Sequence, residues 1–228
     1  MRQEMPKRIK MKGPLISNNQ QEVYDYFGME AVSAKSVVDA FPEDGSDIVL
    51  EVNSNGGLVT VGSEIYTALR SYSGRVTVEV TGMAASAASV AIMGADSVRI
   101  SPTAQIMIHK ALLPWVSGNS DDLDKASNAL KASDQAIVNA YVSKTGLKES
   151  VIIDMMKNET FMSAEEAVEK GFADEVMNFE DREAVASFGT GMLPQAVIDD
   201  FFANKSNRKN EIEAMKLELE KEELLKGL

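Results

Sequence analysis

The chain contains no cysteine. That excludes disulfides, thiolate catalysis and cysteine-ligated zinc. It contains one histidine, His109, so any mechanism that needs an imidazole base must use that residue. Long apolar runs are missing: none approaches the ~20 residues needed to span a bilayer, and no membrane partner is expected. Positive charge is in short supply, with 23 Lys and Arg against 35 Asp and Glu and a net charge of −12. Nucleic acid is therefore not an expected partner. The basic residues that open the chain (Arg2, Lys7, Arg8, Lys10, Lys12) are not followed by the apolar stretch of a secretion signal. Export is not expected, a cytoplasmic location is, and residues 1–13 read as a solvated basic arm.

What is present suits a globular protein. The chain has 228 residues, 44% of them hydrophobic and 25% charged, enough for one sizeable core with an appendage. Residues 47–52 (Asp-Ile-Val-Leu-Glu-Val) form a near-continuous apolar run, as in a strand buried on both faces. The turn Asn53-Ser54-Asn55-Gly56-Gly57 follows, then an amphipathic helix over 61–72 that Gly74 ends. Val76, Val78 and Val80 mark a second strand, which runs into a turn at Gly82. An order of strand, glycine loop, helix, strand, glycine loop, helix predicts βαβ units on a parallel sheet. Right-handed crossovers then bring both glycine loops to one sheet edge, the place for an active site.

Short strands are expected at 97–100 and 105–109, a long helix over 121–144 stopped by Gly146, and a further helix over 150–157. Ser163-Ala164-Glu165-Glu166 is a capping box opening a helix that Gly171 closes. Residues 23–27 suit either a strand or a helix, and 31–41 has helical spacing. Composition shifts after about Phe179. Residues 205–228 carry six acidic and six basic side chains with strong helix propensity, which suits a loosely attached helix as well as a partner-binding one.

The most informative stretch is Thr-Gly-Met-Ala-Ala-Ser-Ala-Ala-Ser-Val, residues 81–90. It puts the Ser86 hydroxyl in the first turn of an alanine-dense helix, where unsatisfied N–H groups favour developing negative charge. Ser89, one turn on, reads as a packing residue.

Four elements occur in order: Asn53–Gly57, then Gly82-Met83-Ala84-Ala85-Ser86, then Met107-Ile108-His109, then Phe161-Met162-Ser163-Ala164-Glu165-Glu166-Ala167 with Gly171 and Asp174. Together they resemble the proteolytic subunit of Clp protease (the ClpP family). The likeness is nearest to the ClpP-like peptidases found among phage and prophage head genes, and covers roughly residues 44–178. It implies an α/β fold, a ClpP/crotonase-like spiral of βαβ units with a protruding handle helix at 121–144. The peptidase domain would span 14–180 and a charged helical tail 181–228.

The resemblance also implies a serine endopeptidase that forms an acyl-enzyme. Ser86 matches the nucleophile and His109 the general base. Ala87 N–H and Gly57 N–H are the candidate oxyanion donors, and Gly56, Leu58, Val59 and Leu112 the expected substrate-binding positions. A serine is a weak nucleophile until a neighbouring imidazole takes its proton, and the tetrahedral oxyanion needs converging N–H donors. The third member matches at Glu159, where the family usually has Asp. Asp154 competes with it for the role of orienting His109.

Polypeptide substrates, a homo-oligomeric ring and capsid-assembly partners are what the likeness implies. The basic arm does not resemble the family's pore segment, so docking to an ATP-driven unfoldase is not carried over. The residues after His109 (Lys110-Ala111-Leu112-Leu113-Pro114-Trp115) depart from the family's glycine-containing substrate strand. No Walker-type loop is present, and no cofactor or metal is expected. Two other readings stand beside this one: a crotonase-fold acyl-CoA enzyme and a catalytically idle assembly scaffold. A Ser/Lys hydrolase is disfavoured, because Lys110 neighbours His109 on a strand and would point to the opposite face.

Overall fold

A computed structural model of the chain describes residues 6–179. Its elements follow in order: β1 (Lys7–Lys12), α1 (Gln21–Tyr26), α2 (Ala34–Val38), β2 (Ile48–Ser54), α3 (Val59–Ser71), β3 (Val76–Ala85), α4 (Ala87–Ile92), β4 (Ser97–Ile100) and β5 (Gln105–Ile108). Then come α5 (Ser120–Thr145), α6 (Glu149–Lys157), β6 (Thr160–Met162), α7 (Ala164–Glu169) and β7 (Glu175–Val176). The expected tail, 181–228, lies outside the described residues.

Strands pair in the order β1-β2-β3-β4-β7, all parallel. Strand β3 is the pivot. Its first half, Thr77 to Val80, pairs with β4, and its second half, Met83 to Ala85, pairs with β5. The fork turns the sheet into the spiral that the sequence led us to expect. It also corrects one reading: Gly82 is not a turn, because β3 runs through it. A Cβ there would stand 2.6 Å from Asn53 Oδ1, and that same oxygen accepts a hydrogen bond from Met83 N–H at 3.1 Å. The Asn53 side chain thus occupies the space that a side chain at position 82 would take.

The basic segment is also different from its expected form. Residues 7–12 are not a solvated arm but the edge strand of the sheet, in register with β2 from Lys7↔Ile48 to Lys12↔Asn53. Ile9 and Met11 enter the core while Arg8 and Lys10 face out. Charged side chains on an exposed edge discourage pairing with another chain.

The apolar alternation of the strands builds the core. Leu50, Val52, Val76, Val78, Val80, Val98 and Ile100 are all fully buried beneath the helices. Each such side chain contributes about 1.5–3 kcal/mol relative to exposure. The opposite face of the same strands carries a charge row: Arg8 pairs with Glu51 and Glu79, and Arg99 with Glu79 and Glu175. Strand β2 is thus not buried on both faces along its length, since Glu51 lies on this second, charged face.

Local capping agrees with the sequence. Ser163 accepts from Glu166 N–H and Glu166 accepts from Ser163 N–H, closing the capping box of α7. Gly146 ends α5 in the left-handed conformation, φ +69°. The handle helix divides by burial. Ile137, Val138, Ala140 and Tyr141 at its base are buried in the domain, whereas Leu123 near its start is half exposed.

Candidate active site

Strand β3 delivers Ser86 to the carboxyl edge of the sheet. Ser86 is not within the first turn of α4 but immediately before it, with φ +55° and ψ −128°. A non-glycine residue in this region carries strain of order 1–3 kcal/mol. A sharp strand-to-helix turn of this kind lifts a serine hydroxyl clear of the backbone.

The surroundings hold that turn from three sides. Ser86 N–H donates to Met107 O of β5 at 2.9 Å. Ser86 O accepts from Ser89 N–H at 3.0 Å and from the Ser89 hydroxyl at 2.6 Å. The third side is Gly56, at φ +92°, so close that a Cβ there would stand 2.6 Å from Ser86 Cβ. The Gly56 N–H is itself held by buried Ser54 Oγ at 3.1 Å.

Strand β5 brings the imidazole. His109, the residue after its end, places Nε2 2.7 Å from Ser86 Oγ. The two groups lie 23 residues apart in sequence and meet because β3 and β5 are adjacent and parallel.

The two candidate oxyanion donors stand at the same place. Leu15 pairs with the loop through Gly56 O and Leu58 N–H, which turns Gly57 N–H away from Leu15. Neither Gly57 N–H nor Ala87 N–H has an acceptor among the described residues. Gly57, Ser86, Ala87 and His109 all line one open cleft of about 590 Å³. Leu58, Val59 and Leu112 line it too, whereas Gly56 lies behind it, buried against Ser86. Val90, Leu130 and Ile137 add apolar wall.

The acid is not in place as a hydrogen-bond partner. Among the described residues no carboxylate bonds to His109, whose one side-chain partner is Ser86. Glu159 is exposed, in the left-handed region at φ +48°, and Asp154 is exposed on α6. The two differ in placement. Strand β6 pairs antiparallel with β5, with Ile108 opposite Thr160, so His109 and Glu159 each adjoin the last pair of that ladder, Glu159 in the turn that precedes β6. Asp154, within α6, adjoins no such pair.

Three residues at the site were given no functional role from sequence. Asp134 of α5 accepts Ala111 N–H at 2.8 Å and pairs with Lys110 at 2.9 Å, anchoring the chain just after His109. Lys110 is thereby committed away from Ser86. Ser89 and Tyr141, both fully buried, share a hydrogen bond of 2.8 Å behind the nucleophile. Burial pushes the Tyr141 phenol well above its ordinary range, only partly offset by that bond. Nothing in the sequence of α5 showed that the Tyr141 hydroxyl turns inward. Among the described residues no cluster of three His, Asp or Glu side chains could hold a metal ion, and no helix is long and apolar enough to cross a membrane.

Comparison with known proteins adds an independent line. A family model described as Clp protease matches residues 20–180. The ATP-dependent Clp protease proteolytic subunit 1 of Protochlamydia amoebophila is 34% identical over 146 residues, 62% of this chain and 71% of that protein. The subunit of the same name from Chlamydia muridarum is 33% identical over 162 residues, 66% of this chain and 84% of that protein. A Clp protease proteolytic subunit from Staurastrum punctulatum is 33% identical over 135 residues, 58% and 67% of the two chains.

Proposed function

The chain belongs to the Clp protease family, and from that premise we propose that Ser86 and His109 are the nucleophile and general base with which it cleaves unfolded polypeptides. As a member it is a serine peptidase of the Clp type. The observation that carries the residue assignment is the 2.7 Å contact between the Ser86 hydroxyl and the only imidazole of the chain. It stands beside two N–H groups without acceptors.

The chemistry follows from that arrangement. His109 Nε2 takes the Ser86 proton as Oγ attacks the substrate carbonyl. The oxyanion forms between Gly57 N–H and Ala87 N–H, and fixed donors of this kind supply a large share of the rate. His109 then passes its proton to the leaving amine, and a water activated by the same imidazole releases the acyl group from Ser86. Glu159, next in sequence to Thr160, which pairs with Ile108 just before His109, is the residue we assign to orient the ring. The exposed Leu58 and Leu112 line the cleft and give apolar contact for the side chains of a bound polypeptide.

The finer reading is a cytoplasmic, self-assembling peptidase of phage head maturation, acting on capsid-assembly proteins. It rests on the likeness to the ClpP-like peptidases found among phage and prophage head genes. A ring assembly is supported by the exposed first half of α5, with Leu123 half exposed. One observation favours a second reading, an idle assembly component: His109 has no carboxylate partner among the described residues. Digestion of an unfolded, fluorophore-quenched polypeptide separates the two. Cleavage by the wild-type protein that disappears in Ser86→Ala is the expected result. An assembled wild-type protein that cuts no such polypeptide would favour the idle component.

A further inference from the structure

The interior behind Ser86 holds a chain of two hydroxyls that the peptidase mechanism does not use. Ser89 Oγ lies 2.6 Å from Ser86 O and 2.8 Å from Tyr141 Oη. Both side chains are fully buried. The proton count settles the direction. A carbonyl cannot donate, so the single Ser89 proton goes to Ser86 O. Tyr141 must then donate to Ser89. The sequence of donation is Tyr141 to Ser89 to the carbonyl of the nucleophile.

That carbonyl belongs to a particular peptide unit. Ser86 C=O and Ala87 N–H are the two ends of one planar group and point in opposite directions. A force that holds the oxygen on the Ser89 side also holds the N–H on the opposite side of the peptide, and Ala87 lines the cleft with Ser86 and Tyr141. We propose that the Ser89–Tyr141 hydroxyl pair is a positioning device for the oxyanion hole, fixing the Ser86–Ala87 peptide so that Ala87 N–H meets the developing oxyanion. The inference rests on the peptidase reading and adds two positioning residues to it.

Three features support a role beyond packing. The Ser86 backbone is strained, with φ +55°, so its peptide needs external restraint to stay in one orientation. The carbonyl accepts the serine hydroxyl at 2.6 Å in addition to the helical N–H groups at 3.0 and 3.3 Å. Donation along a chain of hydroxyls also polarises the peptide and makes Ala87 N–H a better donor. An apolar pair would fill the same space, since Tyr141 already packs on Phe172 with ring centroids 5.4 Å apart.

The test uses the full chain as wild type, Ser89→Ala, Tyr141→Phe and the double variant. Removing both hydroxyls leaves no buried orphan, so the double variant keeps near-native stability. Rates are expressed per site titrated with a fluorophosphonate, and affinity is measured for a peptide boronate, whose tetrahedral adduct occupies the oxyanion hole. Removing an oxyanion donor outright costs about 10²–10³ in kcat. Displacing one costs less, and we expect about a tenfold loss of kcat per titrated site in Ser89→Ala and in the double variant, with KM unchanged. Boronate affinity should fall by a similar factor. A purely structural pair would lower the melting temperature and the titratable fraction but leave kcat per titrated site and boronate affinity at wild-type values, and that result overturns the inference alone. A wild-type protein in which neither probe reaches Ser86 overturns the peptidase reading and this inference together.

Discussion

Replacing Gly56 by alanine perturbs the site at its narrowest point. The added Cβ would stand 2.6 Å from Ser86 Cβ, 2.6 Å from Ala85 O and 3.0 Å from Ala87 N. The first of these is about 0.8 Å short of the 3.4 Å at which ordinary contact begins. All three neighbours belong to the nucleophile's own turn, so relief requires moving that turn. A misplacement of about 1 Å at a reacting group costs about 10²-fold in rate, and this is the loss we expect in kcat/KM for Gly56→Ala. Backbone strain at φ +92° adds a stability cost of about 1–2 kcal/mol. Gly28→Ala separates the two effects. Gly28 is also left-handed, at φ +63°, but a Cβ there meets nothing within 4 Å. That variant should lose a similar amount of stability and keep its activity. The assay is hydrolysis of a fluorogenic peptide per titrated site, with thermal melting of both variants. A Gly56→Ala protein with wild-type kcat/KM would refute the claim that the first glycine loop fixes the position of Ser86.

The remaining predictions concern the rest of the site and the sheet. Glu159→Gln should lower kcat by at least about tenfold, because an unoriented imidazole is a poor base, while Asp154→Asn leaves peptide hydrolysis unchanged; the reverse pattern would transfer the role to Asp154. Asp134→Ala releases both Ala111 N–H and Lys110, so steady-state kinetics should show KM raised several-fold with kcat within about threefold of wild type. The Arg8 guanidinium, through its hydrogen bond, holds the Glu51 carboxyl below the usual carboxylate range. A depressed folded-state value means that this contribution to stability is present above about pH 4.5, the ordinary glutamate range, and is lost as pH falls through the lower folded value. Urea unfolding between pH 3 and 7 should therefore show a shallower acid loss in Arg8→Met than in wild type.

Parallel βαβ order, the capping box at Ser163 and the long handle helix were legible because each depends on local pattern. The meeting of Ser86 with His109 was legible for a different reason: the resemblance to the Clp family marks Ser86, and a chain with one histidine leaves no other imidazole. Readings failed where a distant side chain overrode a local signal. Gly82 resembles a turn, yet β3 continues through it, with the Asn53 side chain lying in the space a Cβ would take. The alternation Arg8-Ile9-Lys10-Met11-Lys12 has the two-residue period of a strand, but the density of positive charge masked it. Ser89 looked like a small packing residue because nothing in sequence tells which tyrosine hydroxyl reaches it across 52 positions. The glutamate at 159 is the reverse case: the resemblance marks it, and it adjoins the last β5–β6 pair, while the side chain itself makes no bond to the ring.

The central claim is that Ser86 is a nucleophile activated by His109. Treatment of the assembled protein with a fluorophosphonate, followed by peptide mapping, tests it most directly. The account predicts a single adduct on the peptide containing Ser86, abolished in Ser86→Ala and slowed by orders of magnitude in His109→Ala. An unlabelled wild-type protein, or an adduct on another serine that survives both substitutions, would contradict it.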